Sequence, residues 1–330
     1  MPTLARLGQA RKRILLKASA RWQRPYRNPH TAPMSGITIL DGGMGRELER
    51  IGAPFRQPEW SALALIESPS HVARAHAAFV HAGADVITTN SYGVVPFHLG
   101  EDRFAAAGAM LAARAGSLAR RVAEAADRPV RVAGSLPPLF GSYRPDLYEP
   151  DRADDLLATL VGGLRDHVDV WLAETQSSTV EAQAAAKAVA GDGRPLWIAF
   201  TLLDHADDAA RSPRLRSGEP VALAAARAVE LGASAVLFNC SQPEVMAAAV
   251  ASARATLDSS TPIGVYANAF PPQAPDAQAN DTLHPIRTDL DPAGYAMFAA
   301  RWIDGGATMI GGCCGIGPDH IAELAATLRS

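Results

Sequence analysis

Ala235-Val236-Leu237-Phe238-Asn239-Cys240-Ser241-Gln242-Pro243-Glu244 is the stretch whose reading decides the fold. It opens as a continuous apolar run, which suits a parallel strand buried on both faces rather than a half-exposed alternating one. It ends on two polar residues, Asn239 and Cys240, and passes at once into a helix start. Ser241 reads as a capping residue, Pro243 suits a first helical position where its missing N–H costs nothing, and Glu244 puts an acid in the first turn. The Ala-rich segment that follows keeps helical periodicity to Leu257. Strand, polar tip and helix form one unit.

The same texture recurs along the chain from residue 37 onward. Strands are predicted at 37–41, 85–90, 130–135, 168–174, 196–202, 262–268 and 307–313, besides 235–240. Between them helices are predicted over His71–Ala82, Ala105–Ala125, Asp151–Asp166, Thr179–Val189, Pro220–Leu231, Pro243–Leu257, Pro292–Gly305 and Pro318–Leu328. Ser178-Thr179-Val180-Glu181 has the capping pattern of a helix start, and Gly83, Gly232 and Gly305 read as helix stops. Strict alternation of strand and helix predicts an α/β protein, a single-domain (β/α)8 TIM barrel, with a doubly wound open sheet as the alternative. The strand tips favour the barrel. Asp41, Asn90, Ser135, Glu174, Asn239, Cys240, Asn268, Cys313 and Cys314 all end or follow apolar runs. A barrel gathers them at one mouth, whereas an open sheet strings them along an edge.

Composition excludes several classes. Of 330 residues 48% are hydrophobic and 20% charged, far from the balance of a disordered chain. A net charge of −3 gives no reason to expect nucleic acid as a partner. No apolar run approaches the ~18 residues needed to cross a bilayer, so no membrane is expected. Three cysteines in so long a chain do not make a disulfide scaffold, and neighbouring Cys313 and Cys314 rarely bridge to each other. A reducing, cytoplasmic setting is the expectation, and the oligomeric state is not readable. Residues 1–34 carry eight Lys or Arg and no acid, the first acid being Asp41. This leader reads as a targeting segment or as translation from a start upstream of Met34. The barrel is assigned to residues 35–330.

Cys240 ends the sixth predicted strand and Cys313-Cys314 the eighth, two strands apart around a closed barrel. Strands lie ~4.8 Å apart, so side chains must bridge ~10 Å between backbones, which ligands to one metal can do. The flanking glycines of Gly311-Gly312-Cys313-Cys314-Gly315 let the backbone curl so that two successive side chains face one point. Three thiolates with one open position is the layout of a catalytic zinc, ready to take a substrate thiol and lower its pKa. The bland alternative is three buried small hydrophobes.

The chain resembles the homocysteine S-methyltransferase family. The resemblance is carried by Leu40-Asp41-Gly42-Gly43-Met44-Gly45-Arg46-Glu47-Leu48, Thr88-Thr89-Asn90-Ser91-Tyr92, Ala173-Glu174-Thr175, Phe238-Asn239-Cys240-Ser241 and Gly311 to Ile321. It implies a barrel with zinc held by Cys240, Cys313 and Cys314, and homocysteine as acceptor of a methyl group from a small-molecule donor, giving methionine. It further implies that the amino-acid end of homocysteine lies near Asp41-Gly42-Gly43 and Glu174. Chemistry agrees: the ammonium needs anionic acceptors, and glycine N–H groups can approach a carboxylate closely. Asn90, Asn239 and Asn268 are candidates to orient thiolate or donor, or else caps on strand ends. The donor (S-methylmethionine, S-adenosylmethionine or similar) stays open, because Gly134-Ser135-Leu136-Pro137-Pro138-Leu139 and Tyr266-Ala267-Asn268-Ala269-Phe270 depart from the family pattern. Tyr92, Tyr143 and Tyr148 are candidates for sulfonium contacts, and Trp171 and Trp197 for packing. The loops 204–219 and 271–285 are candidate lids. A related thiol or selenol as acceptor, and a zinc-thiolate or corrinoid-partner module without turnover, remain as alternatives.

Overall fold

The computed structural model describes residues 36–204, 212–272 and 286–329. The basic leader 1–34 lies outside the described residues, as do 205–211 of the first candidate lid and 273–285 of the second.

Each predicted apolar run yields a strand, the third and fourth running one and two residues past the expected ends: β1 (Thr38–Ile39), β2 (Val86–Thr88), β3 (Arg131–Leu136), β4 (Val170–Gln176), β5 (Leu196–Phe200), β6 (Ala235–Asn239), β7 (Ile263–Ala267) and β8 (Met309–Gly312). All pair in parallel, in the order β1-β8-β7-β6-β5-β4-β3-β2. The ends of that order meet. A parallel bridge joins Leu40 to Val86, and Asp85 N–H donates to the Ile39 carbonyl at 2.7 Å. The sheet is a barrel, as the strand tips predict, and the open-sheet alternative falls.

The barrel helices are α3 (Pro69–His81), α5 (Glu101–Glu124), α6 (Pro150–Leu164), α7 (Thr179–Ala188), α8 (Val221–Glu230), α9 (Pro243–Thr256), α10 (Pro292–Asp304) and α11 (Pro318–Leu328). Three short helices are additions that the periodicity does not announce: α1 (Met44–Arg50), α2 (Ser61–Glu67) and α4 (Pro96–Leu99). The first two lie between β1 and α3 and bring the Gly43–Ser61 region over the mouth.

Continuous apolar strands follow from having a hydrophobic layer on each side. Outside the sheet, Ile39, Trp171, Phe200 and Phe238 pack against the helices. Inside it, Leu40, Val86, Val170, Leu172, Trp197, Leu237, Tyr266 and Met309 fill the barrel. Trp171 and Trp197 are packing residues, as expected. The Trp171 indole N–H donates to Asp192 at 2.9 Å, and the Arg131 guanidinium lies 5.2 Å over the Trp197 ring. Among the described residues no helix is long and apolar enough to cross a membrane.

Local start and stop signals hold in part. Ser178 caps α7 in a complete capping box with Glu181. Ser241 does not cap α9; its hydroxyl accepts from Leu202 N–H at 2.8 Å, and the residue before Pro243 is Gln242. Gly83 and Gly232 adopt positive φ as stop residues, but Gly305 keeps φ −76° and the turn falls to Gly306 at +105°.

Candidate active site

The strand tips converge at the C-terminal mouth, where Asp41, Gly42, Gly43, Asn90, Glu174, Cys240, Cys313 and Cys314 line one pocket. Two close approaches build its floor. A methyl group on Gly43 would sit 2.5 Å from the Cys313 carbonyl oxygen, and one on Gly42 would collide with the Ile316 carbonyl. The loop after β1 and the turn after β8 are therefore back to back. Gly43 N–H donates to Ile316 O and Gly312 N–H to Asp41 O, both at 2.9 Å. This corrects one expectation: the Gly43 N–H is committed to the cysteine turn and is not offered to a substrate carboxylate. The glycines let the two backbones touch, which brings the cysteine turn against the loop after β1.

The three sulfur atoms lie within 4.8 Å of one another. Cys240 and Cys313 are joined as a disulfide with their Cα atoms 5.7 Å apart, and Cys314 stays free. The three cysteines expected from the sequence to share one site are brought together. The physical reason is convergence, since side chains from β6 and β8 aim at one point. The donor set fits a zinc ion once that bond is reduced. Zn–S bonds of ~2.3 Å in tetrahedral geometry require sulfurs about 3.8 Å apart, and the Cys313 and Cys314 sulfurs are 4.0 Å apart. Burial, reinforced by the charge of Glu174, pushes the Cys314 thiol up to about 11, so without a cation beside it that thiol keeps its proton.

Backbone geometry at the mouth is specialised. Cys240, Thr175 and Tyr143 have positive φ (50°, 59° and 68°) without being glycine. Such residues cost about 1–3 kcal/mol each and persist where surroundings hold them. What holds Thr175 is visible. Its N–H donates to Asn239 Oδ1 at 3.0 Å, and Asn239 Nδ2 donates to the Thr175 hydroxyl at 2.8 Å. Asn239 is fully buried and lies outside the pocket lining. It ties the turn after Glu174 to the turn that carries Cys240. Asn268 also lies outside the lining, its Oδ1 accepting from Gln242 at 3.2 Å and from Phe270 N–H at 3.3 Å. Asn90 lines the pocket, with Nδ2 donating to the Ser61 carbonyl at 3.1 Å.

The two carboxylates face a common space. Asp41 accepts from Thr88 N–H at 2.7 Å and from the Thr88 hydroxyl at 3.1 Å; Glu174 accepts from the Ser135 hydroxyl. Burial pushes both up to about 7, against the pull of those hydrogen bonds, and the Glu174 charge adds to the rise at Asp41. A bound cation would restore both to ordinary ionisation. Of the tyrosines, Tyr92 and Tyr143 line the pocket, whereas Tyr148 packs edge-on against Phe140 at 5.8 Å and lies outside that lining. Arg216 sits 4.8 Å from the Tyr143 ring centre and pairs with Asp204 at 2.7 Å. Asp204, Leu215 and Arg216 of that candidate lid are thus buried framework, whereas Ser212, Arg214 and Ser217 are exposed.

Sequence reasoning left Arg46, Trp60 and Tyr266 without a role, yet all three line the pocket. Arg46 was visible as the residue three positions after Gly43, on a helix too short to show periodicity. Tyr266 was visible as a polar-tipped side chain near the end of an apolar run.

A sequence profile described as homocysteine S-methyltransferase matches residues 38–328. Homocysteine S-methyltransferase 4 of Zea mays is 30% identical, over 89% of this chain and 90% of that protein. Selenocysteine Se-methyltransferase of Brassica oleracea var. italica is 28% identical, over 88% of each. Among solved structures, the metallated form of the homocysteine methyltransferase MmuM from Escherichia coli superposes with a TM-score of 0.72 at 27% identity, covering 90% of this chain and 97% of that one.

Proposed function

Because the chain belongs to the homocysteine S-methyltransferase family, we propose that it transfers a methyl group from a small-molecule donor to the thiol of L-homocysteine, using zinc held by Cys240, Cys313 and Cys314. The observation that carries this reading is the juxtaposition of three cysteine sulfurs within 4.8 Å with two buried carboxylates in the same pocket. When bound, zinc lowers the pKa of a substrate thiol so that it is a thiolate near neutral pH.

The chain's own residues set the acceptor. Asp41 and Glu174 are acceptors for an α-ammonium, and a bound cation favours their ionised forms against the burial that raises their pKa. With that end fixed, the thiol is directed toward the cysteine cluster, where three sulfurs surround the remaining space. Transfer is then an in-line displacement: the thiolate sulfur bonds to the methyl carbon as the donor's bond to that carbon breaks with its electron pair. No general base is needed at the methyl, so alignment is the protein's main task. Thr175, held in left-handed backbone by Asn239, ties the turn after Glu174 to the turn that carries Cys240 and so supports that alignment.

A related acceptor is favoured by one observation: a selenocysteine Se-methyltransferase is among the relatives at comparable identity. A selenol is a better nucleophile at the same pH, and the same anionic pair would hold its ammonium.

The test is a methionine-formation assay on reduced, zinc-loaded protein with L-homocysteine and a donor panel that includes S-methylmethionine and S-adenosylmethionine. L-Selenocysteine is run as a second acceptor. Methionine from at least one donor, lost in Cys314→Ala, supports the reading. Full turnover by protein stripped of metal refutes the zinc role, and no turnover with any donor refutes the transfer.

A further inference from the structure

We propose that Tyr266 is a further substrate-binding residue, its hydroxyl accepting an N–H from the α-ammonium of the amino acid held by Asp41 and Glu174. This rests on the acceptor reading given above.

Tyr266 sits on β7, in register with Asn239 of β6 and Gly311 of β8, and projects into the barrel interior beside Leu40, Leu237 and Met309. It is 6% exposed, yet among the described residues its hydroxyl has no hydrogen-bond partner. Buried hydroxyls are nearly always bonded, and an orphan in a pocket lining points to a group that arrives with the ligand. The ring lines the same pocket as Asp41 and Glu174, and both carboxylates act on it electrostatically. Burial and those charges hold the phenol well above its ordinary pKa, so it stays protonated. Asn90 Oδ1 is also unpartnered in that lining, but its amide is anchored to Ser61. The hydroxyl that the two acids act on is that of Tyr266.

A primary ammonium has three N–H donors. Asp41 and Glu174 take one each, and both acids already accept hydrogen bonds from Thr88 and Ser135. The third N–H needs another acceptor at the same point. The Tyr266 oxygen has two lone pairs for it. The pocket so built selects a free α-amino group over a hydrogen or an N-methyl group.

The test uses calorimetric titration of the reduced, zinc-loaded full chain and its Tyr266→Phe variant, which keeps the ring and its packing. The ligands are L-homocysteine and 4-mercaptobutanoate, which carries the same thiol and carboxylate without the amino group. Tyr266→Phe is expected to weaken L-homocysteine by about tenfold, the size of one hydrogen bond to a charged group, while 4-mercaptobutanoate changes by less than about twofold. Equal weakening of both ligands, or none for L-homocysteine, overturns the assignment. So does a wild type that prefers neither ligand. A wild type that binds L-homocysteine in the expected pattern but methylates it with no donor would sink the transfer reading and leave Tyr266 in place.

Discussion

Replacing Gly43 with alanine adds one methyl group where the loop after β1 meets the cysteine turn. Gly43 has φ −73° and ψ 102°, which any L-residue adopts, so the substitution introduces no backbone strain. Its methyl carbon would lie 2.5 Å from the Cys313 carbonyl oxygen and 3.1 Å from Cys314 Cα. Carbon and oxygen are comfortable at about 3.3 Å, so the two segments must part by about 0.8 Å. They cannot part freely, because the bonds from Gly43 to Ile316 and from Gly312 to Asp41 span the same seam. Overpacking of this size costs about 1–3 kcal/mol, and a misplacement approaching 1 Å costs a reaction centre on the order of 100-fold. Gly43→Ala should therefore fold with a lowered melting temperature and bind zinc about 10–100-fold more weakly, although every ligand is intact. Competition against a chromogenic chelator, beside a thermal melt, measures both. Wild-type zinc affinity in the folded variant would refute the claim that this glycine positions the cysteine turn.

Other substitutions and conditions probe separate parts of the account. L-Methionine carries the ammonium without a free thiol, so the pH dependence of its binding reports on Asp41 and Glu174 rather than on the thiol. With both groups near 7 in the free protein, affinity should fall as pH drops from 8 to 6, by on the order of tenfold per carboxylate; a flat titration contradicts this. The sign for stability is opposite. Folded-state values above the unfolded 3.8 and 4.5 mean that the ligand-free fold binds more protons and gains stability as pH falls from 8 toward 5, readable as a rising urea midpoint. Asn239→Ala removes both bonds to Thr175, strands its buried N–H and should cost about 2–3 kcal/mol in denaturant unfolding, against about 1–2 for Thr175→Val, which keeps the backbone bond and strands only Asn239 Nδ2. Equal stability of Asn239→Ala and wild type would remove Asn239 as the brace. Neighbouring glycines on α6 should respond with opposite signs. Gly162→Ala meets nothing within 4 Å and should stabilise by up to about 1 kcal/mol. Gly163→Ala would press a methyl to 2.5 Å from the Ala109 carbonyl and should destabilise by about 1–3 kcal/mol.

The barrel was legible because parallel strands buried on both faces have a composition of their own, and because function placed polar residues at their tips. Cys240 and the Cys313-Cys314 pair could be put on one mouth from strand counting alone. What stayed illegible depends on contacts distant in sequence. Helices α1 and α2 are seven residues each, with no side-chain cap, so periodicity had too little length to act on. They bring Arg46, Trp60 and Ser61 to the pocket. Asn239 read equally as a ligand-facing strand tip or as a strand-end cap, and only the neighbouring turn shows its amide spent on Thr175. Gly42 and Gly43 read as backbone that can approach a carboxylate, and only the fold shows that their lack of a side chain also admits the turn after β8 and that the Gly43 N–H is bonded to Ile316. Tyr266 read as part of a variable donor segment because nothing local marks its hydroxyl as orphaned.

The central claim is that three cysteines form one zinc site open to a substrate thiol. X-ray absorption on the reduced, zinc-loaded chain tests it most directly. The account predicts one zinc per chain with three sulfur neighbours at about 2.3 Å, from Cys240, Cys313 and Cys314, and a fourth sulfur on addition of L-homocysteine. A zinc shell without sulfur, or one that keeps its three sulfurs in Cys240→Ala and gains none from L-homocysteine, would contradict it.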